Sequence, residues 1–206
     1  MLIKELLWVP FLVTLSLKRY WNIDIITSNW KYVIFYKMVK MNIRKIKMED
    51  ANSYLEMLLN LDKETKFMMF KPEERSKSID IARRKIENTI KGDNLILVAT
   101  EGTEIIGFLS VERGVPRRIR QTGYVVVGIR EKYRGMGIGS KLFSELDKWA
   151  RENNLTRLEL TVVSSNIVAK HLYEKNGFEI EGTRKNAMII DNKYVDEYYM
   201  AKLYKD

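Results

Sequence analysis

Three glycines at alternate positions follow an arginine in the stretch RGMGIG, residues 134–139. An apolar run over 121–129 precedes this stretch and a helical pattern follows it, so the glycines lie where a strand gives way to a helix. Glycine tolerates a positive φ and leaves backbone amides uncovered. The first amides of a helix lack partners, and the helix dipole favours an anion there. With the arginine charge beside it, the stretch predicts a cradle for a phosphate or pyrophosphate.

Two nucleotide-binding loops fit this stretch less well. A P-loop ends in Gly-Lys-Ser/Thr, whereas residues 139–141 read Gly-Ser-Lys. A Rossmann loop has G-x-G-x-x-G directly after the strand, but here the spacing is G-x-G-x-G and the charged insert REKYR (130–134) comes first. The acidic residue that follows, Glu159, falls within a predicted strand. A dinucleotide-binding oxidoreductase is therefore the weaker alternative, and a glycine-rich helix start without a ligand is another.

Composition excludes several kinds of site. The 206 residues are enough for one sizeable core. The absence of cysteine excludes disulfides, thiolate metal sites and a cysteine nucleophile, and the single histidine, His171, excludes a multi-histidine zinc site. The formal charge of +9 favours anionic partners, but both signs are interspersed and the excess is too mild to predict nucleic-acid binding. We expect a cytoplasmic protein without a bound metal.

Hydrophobic periodicity after residue 40 predicts a mixed α/β sheet rather than a pure alternation of strands and helices. The run from 121–129 through the next helix to 157–163 is a strand-helix-strand crossover, so these two strands should be parallel neighbours. Further strands follow Phe178. The predicted strands before it are 42–47, 94–100, 104–113, 121–129 and 157–163, and the predicted helices are 48–62, 77–91, 138–153 and 166–177.

The first forty residues differ from the rest of the chain. They hold the apolar run LLWVPFLVTLSL (6–17) and three of the four tryptophans, without a clear helical or strand period. Twelve residues are too few to span a bilayer, which takes about 20. We expect one domain over 41–206, with 1–40 either an appendage or a misassigned upstream start outside the core fold.

The segment 125–182 resembles the acetyl-CoA-binding region of the GNAT superfamily of N-acetyltransferases. One family signature is Arg/Gln-x-x-Gly-x-Gly/Ala after a hydrophobic strand, and a second is an asparagine that begins the next helix, followed by an alanine and then LYEKNGF. Both are present in the family's order, which is more specific than either alone. The resemblance covers 41–206, and residues 181–204 are similar to the branch with the ribosomal-protein and polyamine acetyltransferases. The matching residues are Arg134, Gly137 and Gly139 in the first signature and Asn166, Ala169, Leu172, Tyr173, Gly177 and Phe178 in the second.

This resemblance implies a fold and an activity. The fold would be a GNAT-type mixed sheet of about six to seven strands flanked by about four helices, with the parallel pair 121–129 and 157–163 splayed apart. The activity would be transfer of acetyl from acetyl-CoA to a primary amine of a small molecule, polyamine or protein N-terminus, by direct attack in a ternary complex. A non-catalytic acyl-CoA-binding module is an alternative. Whether the chain forms a homodimer is left open.

The resemblance also implies roles for individual residues. The pyrophosphate of acetyl-CoA would take the amides of 136–140 with Arg134 beside them, and the pantetheine arm would pair with the backbone of 127–129. Tyr173 would be the general acid that protonates the departing thiolate. The expected cofactor-binding residues are Val127, Gly128, Ile129, Arg134, Gly135, Met136, Gly137, Ile138, Gly139, Ser140, Asn166 and Tyr173.

The general base and the acceptor side stay open at the level of sequence. A water chain or one of four carboxylates could serve as the base. The stretch TKFMMFKPEER (65–75) is expected to line the acceptor site, the alternative being that its apolar side chains pack into the core. His171 is expected to be exposed. The four carboxylates are Glu64, Glu73, Glu74 and Glu112.

Overall fold

The computed structural model describes residues 23–28, 31–36 and 41–204. The chain divides into two compact units, residues 1–41 and 42–206. In the first unit, β1 (Ile23–Ser28) and β2 (Lys31–Tyr36) form an antiparallel pair that the sequence periodicity did not predict. The apolar run 6–17 lies outside the described residues, and the interpretation of 1–40 as an appendage or a misassigned start stays a prediction.

Seven strands of the described chain form one mixed sheet in the order β3-β4-β5-β6-β7-β9-β8. Its strands are β3 (Met41–Lys45), β4 (Leu95–Glu101), β5 (Glu104–Arg113), β6 (Thr122–Ile129), β7 (Arg157–Val163), β8 (Glu179–Ile190) and β9 (Lys193–Leu203). The helices of this unit are α1 (Ala51–Glu64), α2 (Ile79–Lys91), α3 (Ile138–Glu152) and α4 (Ile167–Lys175). The predicted mixed sheet, with its strand and helix counts, is confirmed.

Element boundaries agree with the sequence pattern to within three residues. The strands predicted at 104–113 and 157–163 have the same bounds in β5 and β7. The helix predicted from residue 48 begins at Ala51, because a 3₁₀ turn, Met48–Asp50, occupies its first residues. Differences of this size are usual at helix ends, where the last turns fray or tighten.

The two faces of the sheet are covered by different helices. Apolar residues of α1 at helical spacing are buried and pack with Phe108 of β5 in one core cluster, and Tyr54 and Leu61 among them are each 1 % exposed. The Tyr54 and Phe108 rings meet edge to face at 5.7 Å, an arrangement that aromatic quadrupoles favour. On α3, Leu142 and Leu146 are fully buried, and this helix contacts β4, β5 and β6.

The parallel pair of strands separates along its length. β6 and β7 are paired only over Thr122–Tyr124 and Arg157–Glu159. Beyond Tyr124, β6 stays paired with β5 as far as Ile129, and β7 stays paired with β9 as far as Val163. The two strands therefore enclose a wedge that widens toward their carboxyl ends. The predicted splay of this pair is confirmed.

A carboxylate clamp fixes the end of α1 to the end of β6. Arg130 Nε donates to one oxygen of Glu64 at 2.7 Å, and the Glu131 amide donates to the other at 2.7 Å. Partial burial raises the pKa of Glu64, but the Glu131 amide and the Arg130 guanidinium outweigh it, and the net pKa lies below the ordinary value. The clamp therefore stabilises the fold in its ionised form.

We expect Glu64→Gln to lower the free energy of unfolding by about 1–2 kcal/mol at pH 7, because it removes the charge from two hydrogen bonds. A depressed folded-state pKa contributes stability that is fully present above the unfolded pKa of 4.5 and lost as the pH falls through the lower folded value. The difference from wild type should therefore shrink below about pH 4.5. Urea unfolding at pH 7 and pH 3 measures this.

Glu145→Gln is the matched control, since Glu145 pairs with Lys148 on the surface of α3 and such pairs contribute little, within about 0.5 kcal/mol. An equal loss for the Glu64 variant at both pH values would contradict a charge-dependent clamp.

Candidate active site at the splayed strands

The wedge exposes backbone groups of β6 that have lost their strand partner. Thr122 accepts a backbone hydrogen bond from Gly114, and the Arg130 amide donates to Ile106, so even-numbered residues at both ends of β6 point toward β5. Backbone groups alternate sides along a strand. The groups of Val127 and Ile129 therefore point into the wedge, where an extended ligand can pair with them.

Gly128 has a packing reason that the sequence did not show. Its backbone points toward β5, and the pairing with β5 runs through it without a register shift. A Cβ added there would lie 2.8 Å from Leu61 Cδ1 and 2.8 Å from Phe108 Cε1. The glycine therefore allows α1 to press onto the sheet. A contact of Gly128 with the pantetheine arm stays a prediction. Its neighbours Val127 and Ile129 are better placed for such a contact, because their backbone groups point into the wedge.

The glycine stretch forms an uncapped helix start. Gly135 and Gly137 have φ values of 79° and 76°, in the left-handed region, and a Cβ on either would meet nothing within 4 Å. Gly137 is the N-cap of α3 and offers no side-chain bond to the first amides. The amides of Ile138, Gly139 and Ser140 thus begin the helix without acceptors from the preceding turn. This cradle fits a phosphate-bearing group.

Two further contacts tie the cradle to its surroundings. Arg134 is exposed, and its Nε donates to the Ile129 carbonyl at 3.0 Å, which holds the guanidinium beside the mouth of the wedge. Gly139 lets two helices approach, because a Cβ there would lie 2.7 Å from Leu172 Cδ2 of α4. Gly139 and Leu172 belong to the two separate sequence signatures, which are therefore in direct contact.

The ends of α4 are both defined by local hydrogen bonds. The Asn166 side chain accepts from the Ala169 amide at 3.2 Å, as an N-cap does. At the other end Gly177 has φ 85°, and the Phe178 amide donates to the Tyr173 carbonyl at 3.1 Å, a Schellman arrangement. The helix is nine residues long, so these caps fix the position of Tyr173.

Tyr173 is held by aromatic contacts. Its hydroxyl makes no hydrogen bond to a described residue and keeps access to solvent. The residue is 8 % exposed. Its ring lies 5.9 Å from Phe143 and 6.2 Å from Phe178. Burial raises the pKa of the phenol, and the nearby phenol of Tyr124 raises it further. Tyr173 is therefore a protonated donor over the whole neutral range.

Tyr124 marks the point at which the two strands part, and sequence reasoning missed it. It is the last residue of β6 that pairs with β7, and its hydroxyl lies 2.9 Å from Thr161 Oγ1 of β7. It is near enough to raise the pKa of the Tyr173 phenol, so the two phenols lie close to each other near the apex of the wedge. Only the end of strand pairing distinguishes Tyr124 from other strand tyrosines, and the sequence does not show where pairing ends.

The four carboxylates considered as general base are not brought together. Glu64 is held in the clamp described above. Glu74 accepts from the Lys71 amide at 2.9 Å, and Glu112 is exposed and pairs with Lys85 at 3.5 Å. Glu73 is exposed, with φ 78°. His171 is exposed, as expected.

The connection between α1 and α2 reaches across the sheet. Lys66 Nζ lies 2.5 Å from Asp191 in the turn between β8 and β9. Arg75 donates to both oxygens of Asp62, which is 3 % exposed, and this pair was not foreseen. Met68 packs against the core beside α1, whereas Phe70 is 41 % exposed. The placement of 65–75 along the acceptor site stays a prediction, because only part of the stretch packs inward.

Comparison with known proteins agrees with this site. A family model described as the acetyltransferase (GNAT) family matches residues 55–178. The chain belongs to the GNAT acetyltransferase family. It is therefore a GNAT N-acetyltransferase that uses acetyl-CoA. Its matched region begins within α1 and includes both sequence signatures.

Individual relatives of this GNAT chain support the assignment. It is 36 % identical over 113 residues to the L-amino acid N-acetyltransferase AaaT of Escherichia coli (strain K12), a match that covers 52 % of this chain and 67 % of that protein. A GNAT-family acetyltransferase structure from Streptococcus pneumoniae has a TM-score of 0.77 at 28 % identity and covers 80 % of this chain and 100 % of that one.

A more distant structure shares the fold. The acetyltransferase yncA from Salmonella typhimurium, solved with its cofactor acetyl-CoA, has a TM-score of 0.73 at 20 % identity and covers 81 % of this GNAT chain and 95 % of that one. Within the described residues, none of the GNAT chain's helices has both the length and the apolar character needed to cross a bilayer.

Gly137→Ala should weaken CoA binding at least about tenfold, because a methyl group would enter the cradle in front of the helix amides. It should also lower stability by about 1–2 kcal/mol, since an L-residue in the left-handed region is strained. Calorimetric titration with CoA and thermal unfolding measure the two effects.

Gly102→Ala is the matched control. Gly102 also has a positive φ, 61°, with nothing within 4 Å of an added Cβ, but it lies in the turn between β4 and β5. It should lose similar stability and keep its CoA affinity. Equal CoA affinities for the two variants would contradict the assignment of the cradle.

Proposed function

We propose that this GNAT enzyme transfers acetyl to a primary amine by direct attack, with both substrates bound together at the wedge. The observation that carries the proposal is the phenol of Tyr173, which packs on Phe143 near Tyr124, at the apex of the splayed strands, with its hydroxyl free of hydrogen bonds to described residues and open to solvent. A donor kept protonated at this point serves a leaving group that departs as an anion.

The backbone supports cofactor binding in two places. The backbone groups of Val127 and the amide of Ile129 offer a strand edge to the pantetheine arm, while the Ile129 carbonyl accepts from Arg134. The amides that open α3 receive the pyrophosphate next to Arg134. A β6 amide that points into the wedge also donates to the thioester oxygen as it gains negative charge. Asn166 caps α4 whether or not it touches the cofactor.

The proton balance assigns one role to Tyr173. The neutral amine attacks the thioester carbonyl carbon, forming a C–N bond, and the C–S bond then breaks. Tyr173 gives its proton to the departing thiolate, and the phenolate regains a proton from the nitrogen of the new amide through water. The amine enters as an ammonium ion and loses its first proton to solvent or to a carboxylate, so one proton is released per turnover.

The acceptor class follows from the chemistry and from a relative. The E. coli protein is named for L-amino acids, whose reacting group is a primary amine. A small molecule, a polyamine or a protein N-terminus each presents such an amine. The proposal therefore commits to the amine and to the transfer, and leaves its carrier to experiment.

Tyr173→Phe should lower kcat by about 100-fold or more, the usual contribution of a positioned general acid, with little change in the affinity for acetyl-CoA. The variant should fold normally, because the hydroxyl has no hydrogen-bond partner among the described residues. Thiol release from acetyl-CoA with a panel of primary amines measures the rate. Unchanged turnover would refute the role of Tyr173.

Ligand-induced stabilisation separates the cofactor alternatives. CoA or acetyl-CoA at 100 times its dissociation constant should add about 2.7 kcal/mol to the stability, whereas NAD should leave the melting temperature unchanged. Differential scanning fluorimetry measures both. Stabilisation by NAD alone would favour an oxidoreductase, and stabilisation by CoA without turnover of any amine would favour a non-catalytic acyl-CoA-binding module.

A further inference from the structure

A cavity of about 350 Å³ opens on the sheet directly below the apex of the wedge. β6, β7, β8 and β9 all contribute to it. Tyr124 belongs to this lining and also contacts Thr161 at the apex. Tyr124 therefore borders both the cavity and the apex of the wedge. It is lined by Tyr124, Arg157, Glu159, Leu160, Glu181, Gly182, Tyr199 and Met200.

Strand register places the polar side chains of the cavity on one face of the sheet. Tyr124 and Glu159 are directly paired across β6 and β7, and Thr161 is paired with Tyr199 across β7 and β9. Paired residues in neighbouring strands project from the same face. Glu159 therefore lies between two tyrosines on the face opposite to Leu158, which is fully buried.

The charge of the cavity is negative. Arg157 Nε donates to one oxygen of Glu159 at 2.8 Å, and its terminal nitrogens donate to both oxygens of Glu181 at 2.9 and 2.5 Å. Two carboxylates thus surround one guanidinium. Both carboxylate oxygens of Glu181 accept from Arg157, whereas one oxygen of Glu159 does. The second oxygen of Glu159 is the acceptor that this cluster leaves for a ligand.

Cations elsewhere around the acceptor side already have carboxylate partners. Arg184 pairs with Glu197 at 3.6 Å, and Lys66 pairs with Asp191. Among the described residues that line the cavity, the one cation, Arg157, is already paired, so a carboxylate on the ligand would face net negative charge. The side chains of Glu159 and Glu181 are 40 % and 43 % exposed, so water screens the repulsion of a ligand carboxylate, which nevertheless weakens its binding.

Tyr124 relates the cavity to the Tyr173 phenol. Tyr173 is 8 % exposed, and its hydroxyl makes no hydrogen bond to a described residue and keeps access to solvent. Tyr124, which lines the cavity, is near enough to raise the pKa of Tyr173. An amine held in the cavity would therefore lie next to the group that the proposed transfer uses.

We infer that this cavity binds the acceptor as an ammonium ion on Glu159, with an apolar or aromatic body between Tyr124 and Tyr199, and that it selects amines with no carboxylate beside the amine. Arg157 is a positioning residue that fixes Glu159. The inference rests on the proposed transfer to a primary amine. This class excludes the free L-amino acids for which the E. coli relative is named.

L-phenylalaninamide and L-phenylalanine are the probes, since they share a body and an amine and differ in one carboxylate. Each is titrated calorimetrically into the full chain saturated with CoA, and each is assayed for thiol release from acetyl-CoA. We expect wild type to bind the amide at least about tenfold more tightly. Glu159→Gln should reduce this preference to about twofold or less, through weaker binding of the amide.

Glu145→Gln removes an equal charge from α3, which does not line the cavity, and should keep the tenfold preference. Thermal unfolding checks that the Glu159 variant is folded, which we expect because Arg157 keeps both bonds to Glu181. The inference is overturned if wild type binds phenylalanine as well as the amide, if neither probe binds, or if the Glu159 variant keeps the full preference. Selective binding of the amide without thiol release would refute the proposed transfer but retain the cation-selective cavity.

Discussion

The pairing of β6 with β7 stops after three residues, and the rest of the site depends on this interruption. A sheet interior normally satisfies every backbone amide and carbonyl with a neighbouring strand. Here β6 keeps its hydrogen bonds to β5, and β7 keeps its hydrogen bonds to β9. Beyond Tyr124 and Glu159, the facing edges of β6 and β7 no longer pair with each other. An unpaired strand edge is costly unless water or a ligand completes it, and an extended ligand arm can do so.

Other contacts hold this opening in place. The Glu64 carboxylate fixes α1 to the end of β6 through Arg130, and Gly128 lets the same helix lie close to the strand. On the opposite face, Gly139 lets α3 approach Leu172 of α4. The wedge is therefore rigid on both sides, while its mouth carries the uncapped amides that start α3.

The two sides of the wedge have different chemistry. The side proposed for the cofactor is backbone and glycine, which suits an anion and an extended arm. The side proposed for the acceptor carries tyrosines and carboxylates, with Arg157 enclosed by Glu159 and Glu181. Tyr173 lies at the junction, fixed by Phe143 and Phe178, with its hydroxyl uncommitted among the described residues. Transfer between two substrates needs such a group at the place where they meet.

After residue 40, the sequence by itself determined the order of the elements, the mixed sheet, the family and the glycine-rich start of α3. Hydrophobic periodicity and local capping residues are enough to predict those features. β5 has its predicted bounds, and Asn166 and Gly177 cap α4 as their residue types indicate. Tertiary structure alone decided where β6 and β7 part, which made Tyr124 the apex residue and brought Glu159, Glu181 and Arg157 into one cavity. It also committed Glu64, a candidate base, to a clamp with Arg130. These features depend on contacts between residues tens of positions apart, and pairing across strands leaves no local pattern in the chain.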